Sequence, residues 1–213
     1  MGRFAWLCLM VMAKPKITVI AILVGLAGVA FFLDRGASSS SARILVTGSS
    51  TVAPLMDAIG KRFEKNNPDL RVDVQTGGSS KGIADASHGL ADIGMASRML
   101  SPSEAPDLKV FAIAHDGLAL ITYADNPVSD LNKQQIVDLF TGQVNNWQEL
   151  GGADREVTVV NKAEGRGTLE VFLRFLDLKN SKIEADVVVG HNQQAIKTIA
   201  GNAGAIGYVS IGT

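Results

Sequence analysis

The stretch RILVTGSSTVAP, residues 43–54, decides the fold class. Arg43 to Thr47 is a short apolar run suited to a buried strand. Gly48, Ser49, Ser50 and Thr51 then form a loop of small residues, and an amphipathic run follows to Lys65. Pro54 falls in the first turn of that predicted helix, where a missing N–H has no cost. Strand, small-residue loop, helix is the unit of an open α/β sheet.

Working outward, the unit recurs. Leu70 to Gln75 alternates with period two, Gly77-Gly78-Ser79-Ser80 follows, and a short helix runs to about His88. Ala91 to Ala96 is a further strand. Ser101 and Glu104 have capping-box spacing. Lys109 to Ile113 and Leu118 to Tyr123 read as two adjacent strands. Asn132 to Phe140 reads as a helix, Glu156 to Asn161 as a strand, and Gly167 to Leu176 as a helix after the loop Gly165-Arg166-Gly167-Thr168. Asp186 to Val189, Gln193 to Ala200 and Ala205 to Ile211 complete the alternation as strand, helix and strand. The pattern predicts an α/β fold with mixed, mostly parallel sheets.

The first 42 residues differ in character. Arg3, Lys14 and Lys16 precede an apolar run from Ile17 to Leu33, closed by Asp34, Arg35 and the serine linker Ser38 to Ser41. About 17 apolar residues are the short end of a membrane span and slightly long for a signal-peptide core. The positive N-terminal flank predicts that the remainder is exported. A cleaved signal and a retained membrane anchor both fit, and either Met1 or Met12 fits as the start. Cys8, the single cysteine, lies before the run, so the exported part has no disulfide. Export permits disulfides without requiring them in a domain of this size.

Composition narrows the function. The chain has 20 basic and 21 acidic residues, for a formal net charge of −1. That balance gives no electrostatic footprint for nucleic acid. His88, His115 and His191 are scattered, with no metal-ligand spacing, so neither a metal nor a cofactor is expected. Attraction for an anion must therefore be local. The three loops supply it. A helix N-terminus has free N–H groups and about half a positive charge, glycine admits an anion to the backbone, and hydroxyls add donors. Serine and threonine are also ordinary N-caps, so one such loop would carry little. Three loops converging on one cleft would carry more. Hydrogen bonds to charged groups contribute roughly 1.5–3 kcal/mol each, and a micromolar site needs about 8 kcal/mol. Arg98 and Arg166 are the candidate cations, Arg166 the better placed because it lies inside a glycine loop.

These motifs, in this order, resemble a known family. Gly48 to Pro54, Gly77 to Ser80, Ala91 to Gly94 with Ser97-Arg98, Phe140 to Gly152 (FTGQVNNWQELGG) and Gly204 to Val209 are similar to the substrate-binding proteins of phosphate ABC importers, of the type II periplasmic-binding fold. The resemblance covers nearly all of 43–213. It implies two α/β lobes closing on phosphate or a similar oxyanion: residues 1–42 as signal or anchor plus linker, 43–116 as lobe one, 117–202 as lobe two, and 203–213 crossing back. Relatives continue further, so lobe one is read as truncated at its C-terminal end.

The implied ligand contacts are Ser50 and Thr51, Ser79, and Gly167 and Thr168, joined by Ser97, Arg98 and Arg166. Implied partners are inorganic phosphate and the membrane permease subunits of an importer, for a monomer on the outer face of the cytoplasmic membrane with no catalytic role. Departures are visible. The best-known members carry an aspartate where Ser97 aligns, which accepts the proton of phosphate. Lys162 stands at the family's arginine and Arg166 at its serine, and Glu164 is expected to pair with Lys162.

Two other readings were weighed. One is a membrane-tethered phosphate sensor or scaffold with the same fold. The other is a serine hydrolase, because Gly78-Ser79-Ser80-Lys81-Gly82 matches G-x-S-x-G between a strand and a helix. That reading leaves the first and third loops unexplained. A P-loop is excluded by the missing G-x4-G-K-[ST] pattern.

Overall fold

The computed structural model describes residues 4–13, 42–104 and 106–212. Its strands form one eight-stranded sheet in the order β3-β2-β4-β1-β5-β8-β6-β7. These are β1 Phe4–Ala13, β2 Ala42–Gly48, β3 Leu70–Thr76, β4 Ile93–Ala96, β5 Leu108–Thr122, β6 Thr158–Lys162, β7 Val187–Val189 and β8 Ala205–Ser210. The helices are α1 Ala53–Asn66, α2 Ser79–Ser87, α3 Lys133–Phe140, α4 Gly167–Leu176 and α5 Asn192–Ala200. The β2–β3, β2–β4, β6–β7 and β6–β8 pairs are parallel, and β1 and β5 bring in the antiparallel ones.

β5 joins the two halves of the sheet. It pairs with β1 up to Leu118 and with β8 from Leu118 to Thr122. The expected interruption between Ile113 and Leu118 is therefore absent. Asp116-Gly117 looks like a turn in sequence, yet the strand only exchanges one partner for another there. The Asp116 carboxylate accepts from the Gly117 amide at 2.7 Å, from the Gly212 amide at 3.2 Å and from the Ser210 hydroxyl. The segment expected to cross back forms β8 within the second half, and its end reaches Gly117 through the Ile211 amide.

Residues 4–13 correct the expectation that everything before residue 43 stands apart from the domain. They form β1, antiparallel to both β4 and β5. The physical reason is the pair of strand edges on either side. Without an insert, β4 and β5 would present rows of unpaired backbone groups to each other's side. The apolar run Ile17–Leu33 lies outside the described residues. Among the described residues, no helix is long and apolar enough to cross a membrane.

In the first half, α1 buries Ala53, Met56 and Gly60, and the missing side chain at Gly60 lets Val72 approach. The second half is centred on aromatic rings. Phe172 stacks on Tyr208 with centroids 3.9 Å apart, and Phe140 packs on both. Trp147, 1% exposed, donates Nε1 to the Gly204 carbonyl at 2.8 Å. One acidic residue orders the strands of each half. Asp92 Oδ2 accepts from the Leu45 amide at 2.8 Å, and Asp186 Oδ2 from the Val159 amide at 2.7 Å. Of the Ser101/Glu104 capping box only one arm forms, the Ser101 amide donating to Glu104 Oε2 at 2.8 Å, and it closes a turn with no helix after it.

Candidate functional site

Each of the three small-residue loops leaves the end of a strand and enters a helix: β2 into α1, β3 into α2, β6 into α4. None of these helices has a side-chain N-cap bond. Their first N–H groups are thus not consumed by serine or threonine caps, the alternative role for these residue types.

The sheet brings the loops of the two halves together. The Ser80 amide donates to the Gly165 carbonyl at 3.2 Å. Gly78 has φ 101°, and a Cβ there would stand 2.6 Å from the Gly165 carbonyl oxygen and 3.2 Å from Arg166 Cδ. A Cβ on Gly167 would meet Ser79 Oγ at 2.5 Å and Ser97 Oγ at 2.6 Å. Asn192, at the start of α5, comes within 3.4 Å of Thr51 Oγ1. Gly78→Ala is accordingly expected to force the second and third loops apart. The backbone strain alone costs on the order of 1–3 kcal/mol, to be read as a lower melting temperature.

The predicted site residues fall into two groups. Ser79, Ser97, Gly167 and Thr168 are buried, Ser50, Thr51 and Arg166 are half-buried, and together they line the meeting point of the loops. Ser79 Oγ accepts from the Ser97 amide at 3.0 Å and lies 3.3 Å from Ser97 Oγ. Ser49, though buried, accepts from the Thr51 amide at 3.2 Å and so shapes its own loop.

Arg98 is placed differently from the expectation of a ligand contact. Its guanidinium donates to both Glu104 oxygens at 2.7 and 2.9 Å and to Ser80 Oγ at 3.1 Å. Nε lies 2.6 Å from Glu170 Oε2, an ion pair outside hydrogen-bond alignment. Arg98 is 4% exposed. Burial opposes its charge, but the two glutamates outweigh it and raise its pKa. The Arg98 bond likewise holds the Glu104 carboxyl down at about 2, against burial. Because Glu170 lies on α4 and Arg98 follows β4, this network ties the halves together beside the loops.

Ser80 belongs to the same network. Its hydroxyl donates to Glu170 Oε1 at 3.1 Å while accepting from Arg98. This hydroxyl links the Arg98 guanidinium to the Glu170 carboxylate, so Ser80 takes part in the bridge between the halves.

Among the described residues, Lys162 and Arg166 are cations with buried nitrogens and no salt bridge. Lys162 is 2% exposed, and its Nζ has no hydrogen-bond partner among the described residues. Arg166 Nε and Nη1 are likewise buried without one, and the guanidinium lies against Gly190. The expected Glu164–Lys162 pair does not form. Glu164 points outward and accepts from Asn180 at 3.2 Å. Burial, with Arg166 adding to it, lowers the Lys162 pKa to about 8. His191, the residue before α5, is lowered by burial and then by Arg166 and Lys162, which sets it beside the same two cations. His191 and Asn192 were missed by sequence reasoning. The only available signal was their position between a strand and a helix, a fourth instance of the same unit.

A cavity of about 710 Å³ lies elsewhere, along the apolar end of β5 at Leu120, Tyr123, Val128 and Leu131. Volume does not locate the chemistry here; charge and unsatisfied donors do. Among the described residues no group of His, Cys, Asp or Glu could hold a metal ion.

Two sets of strand-end loops meeting across a mixed sheet, with buried cations between them, define a solute-binding fold. The PBP superfamily domain model matches residues 35–213, and the chain belongs to that superfamily. More particularly, it is similar to phosphate-binding members. It is 38% identical to a protein from Clostridium perfringens described as a phosphate ABC transporter substrate-binding protein and solved with bound phosphate. That match has a TM-score of 0.76 and covers 79% of this chain and 70% of the other. A phosphate transport receptor from Vibrio cholerae matches at 35% identity and a TM-score of 0.64, over 81% and 72% of the two chains. The phosphate-binding protein PstS of Bacillus subtilis (strain 168) is 32% identical over 179 residues. These residues are 83% of this chain and 59% of that relative, so the chain spans well under two thirds of its length.

Proposed function

We propose that this chain is an extracytoplasmic solute-binding protein that captures phosphate, or a similar tetrahedral oxyanion, for an ABC importer. One observation carries the reading: among the described residues, Lys162 Nζ and the Nε and Nη1 of Arg166 are buried without hydrogen-bond partners where the glycine loops of both halves meet. Buried charge without a partner is costly, and a ligand anion supplies the missing acceptors. Donors from helix starts, hydroxyls and two cations suffice without a metal. The phosphate-bound relative supports the same reading.

The proposed contacts are Ser50, Thr51, Ser79, Ser97, Arg166, Gly167 and Thr168, with Lys162 added and Arg98 moved to a bracing role. Residues 43–116 and 117–202 act as lobes, with 203–213 closing the second as β8, and the apolar run 17–33 directs export or anchors the protein. Permease subunits in the membrane receive the loaded protein.

The test is calorimetry with phosphate in metal-free buffer. Saturable binding is expected, with Arg166→Ala weakening it more than Lys162→Ala, because arginine presents a planar fork to an oxyanion. Absence of heat with phosphate, arsenate and sulfate would sink the proposal. The reverse order of the two variants would make Lys162 the principal charge partner.

A further inference from the structure

The carboxylates around the loops are engaged with protein groups. Glu104 and Glu170 hold Arg98, and Glu170 also accepts from Ser80. Asp85, on α2, accepts from Lys81 at 2.6 Å. Glu164 accepts from Asn180. What the described residues present inward is two cations, backbone amides and hydroxyls. Ser79 Oγ already accepts the Ser97 amide. The hydrogens of this hydroxyl pair are therefore free to run from one oxygen to the other and on toward a ligand. Among the described residues, neither Lys162 nor Arg166 forms a salt bridge with a carboxylate.

We infer that this pocket selects tetrahedral oxyanions by double negative charge and does not read the ligand's proton. Lys162 and Arg166 match the charge, Ser79 and Ser97 donate, and sulfate is a ligand alongside monohydrogen phosphate. The inference rests on the anion-binding reading and adds the ligand class to it. Rejecting a near-isosteric competitor requires a repulsive element as well as attractive ones. A carboxylate facing the ligand would repel sulfate, which has no proton to offer at neutral pH, while accepting one from phosphate; here the carboxylates are turned to Arg98, Lys81 and Asn180. Two close cations repel each other, so a single negative charge leaves one of them uncompensated and a double charge satisfies both.

Lys162 adds a proton signature. The groups facing it are Arg166 from the loop before α4, His191 ahead of α5, and Tyr208 Oη on β8, which accepts weakly from the Lys162 amide at 3.4 Å and donates to Asn161 at 2.6 Å. None of these is a carboxylate. Its pKa, brought to about 8, rises when an anion binds, so binding above that pH takes up a proton.

The experiment is calorimetry on the full chain with sodium sulfate and sodium phosphate at about pH 8.5, in two buffers of different ionisation enthalpy. Sulfate is expected within about tenfold of phosphate in Kd, equivalent to about 1.4 kcal/mol. Proton uptake of a fraction up to one per anion is expected, absent in Lys162→Met. At about pH 5.5, where phosphate is chiefly a monoanion, sulfate is expected to bind more tightly than phosphate. Phosphate binding with sulfate more than tenfold weaker at the higher pH overturns this inference and leaves phosphate capture standing. Phosphate holding its advantage at the lower pH overturns it as well. If neither anion binds, the anion-binding reading falls and this inference with it.

Discussion

Lys162→Met is expected to raise the thermal stability of the protein in anion-free buffer at pH 7 and to reduce its stabilisation by anions. Lys162 is 2% exposed and has no hydrogen-bond partner for its ammonium group among the described residues. Its pKa falls from 10.5 to about 8 on folding, through burial first and Arg166 second. The unfolded chain therefore binds more protons between those values, and stability rises with pH across that window. Below about pH 8 the full penalty is present. At 1.36 kcal/mol per unit it amounts to about 3 kcal/mol. Methionine keeps the length of the stem and removes the charge, so much of that penalty should return as stability. A domain of this size gains roughly 2–4 °C per kcal/mol. The wild type should recover stability on adding phosphate, by about 2.7 kcal/mol at a hundredfold excess over Kd, whereas the variant, binding more weakly, should recover less at the same phosphate concentration. Thermal denaturation at pH 7 and pH 10, with and without phosphate, reads both effects. A variant that melts lower at pH 7 and responds to phosphate as fully as the wild type would refute the assignment of Lys162 as a cation held for the ligand. This trade between stability and function is the kind expected at a binding site.

The second large effect is expected at Arg98. Replacing both of its carboxylate partners, as in the Glu104→Gln, Glu170→Gln double variant, leaves a 4% exposed guanidinium without an anion. Breaking a buried ion pair from one side costs roughly 3–5 kcal/mol. Urea denaturation should show that loss, and a double variant within about 1 kcal/mol of wild type would show the network to be dispensable. The singles should differ in kind. Glu104 and Arg98 both lie in the first half, so Glu104→Gln should act on stability, and most visibly against acid. With its folded pKa at about 2, below the ordinary 4.5, Glu104 contributes stability that is present above 4.5 and lost as pH falls toward 2. Glu170 reaches across to Arg98 and Ser80 from α4. Glu170→Gln should loosen the join between the halves and weaken anion binding without contact with the anion. Ser80→Ala should do the same more mildly.

How much of this was legible depended on the range of the interactions concerned. Strand and helix limits followed from periodicity and from Gly, Pro and Asn at the ends, since these act within a turn or two. Gly78 illustrates the limit of such reasoning. Its place in a loop was readable, but the need for glycine arises from Gly165 and Arg166 of another loop. The expected break between Ile113 and Leu118 was misleading because the end of a strand and a change of strand partner look alike locally; only β1 on one side and β8 on the other show the strand passing straight through. Residues 4–13 were equally opaque, because an apolar segment carries no mark of the edge it will fill.

Arg98 and Lys162 mark the division most clearly. The sequence by itself determined the α/β alternation, the three loops opening onto helix starts, and a short set of cations able to serve an anion. Which cation is free for a ligand was decided only by tertiary structure. Arg98 is neutralised by Glu104 nearby and by Glu170 from the other half of the sheet, while Glu164, two residues from Lys162, turns away to Asn180. Charge compensation acts through space within a few ångströms, and distance along the chain does not report it.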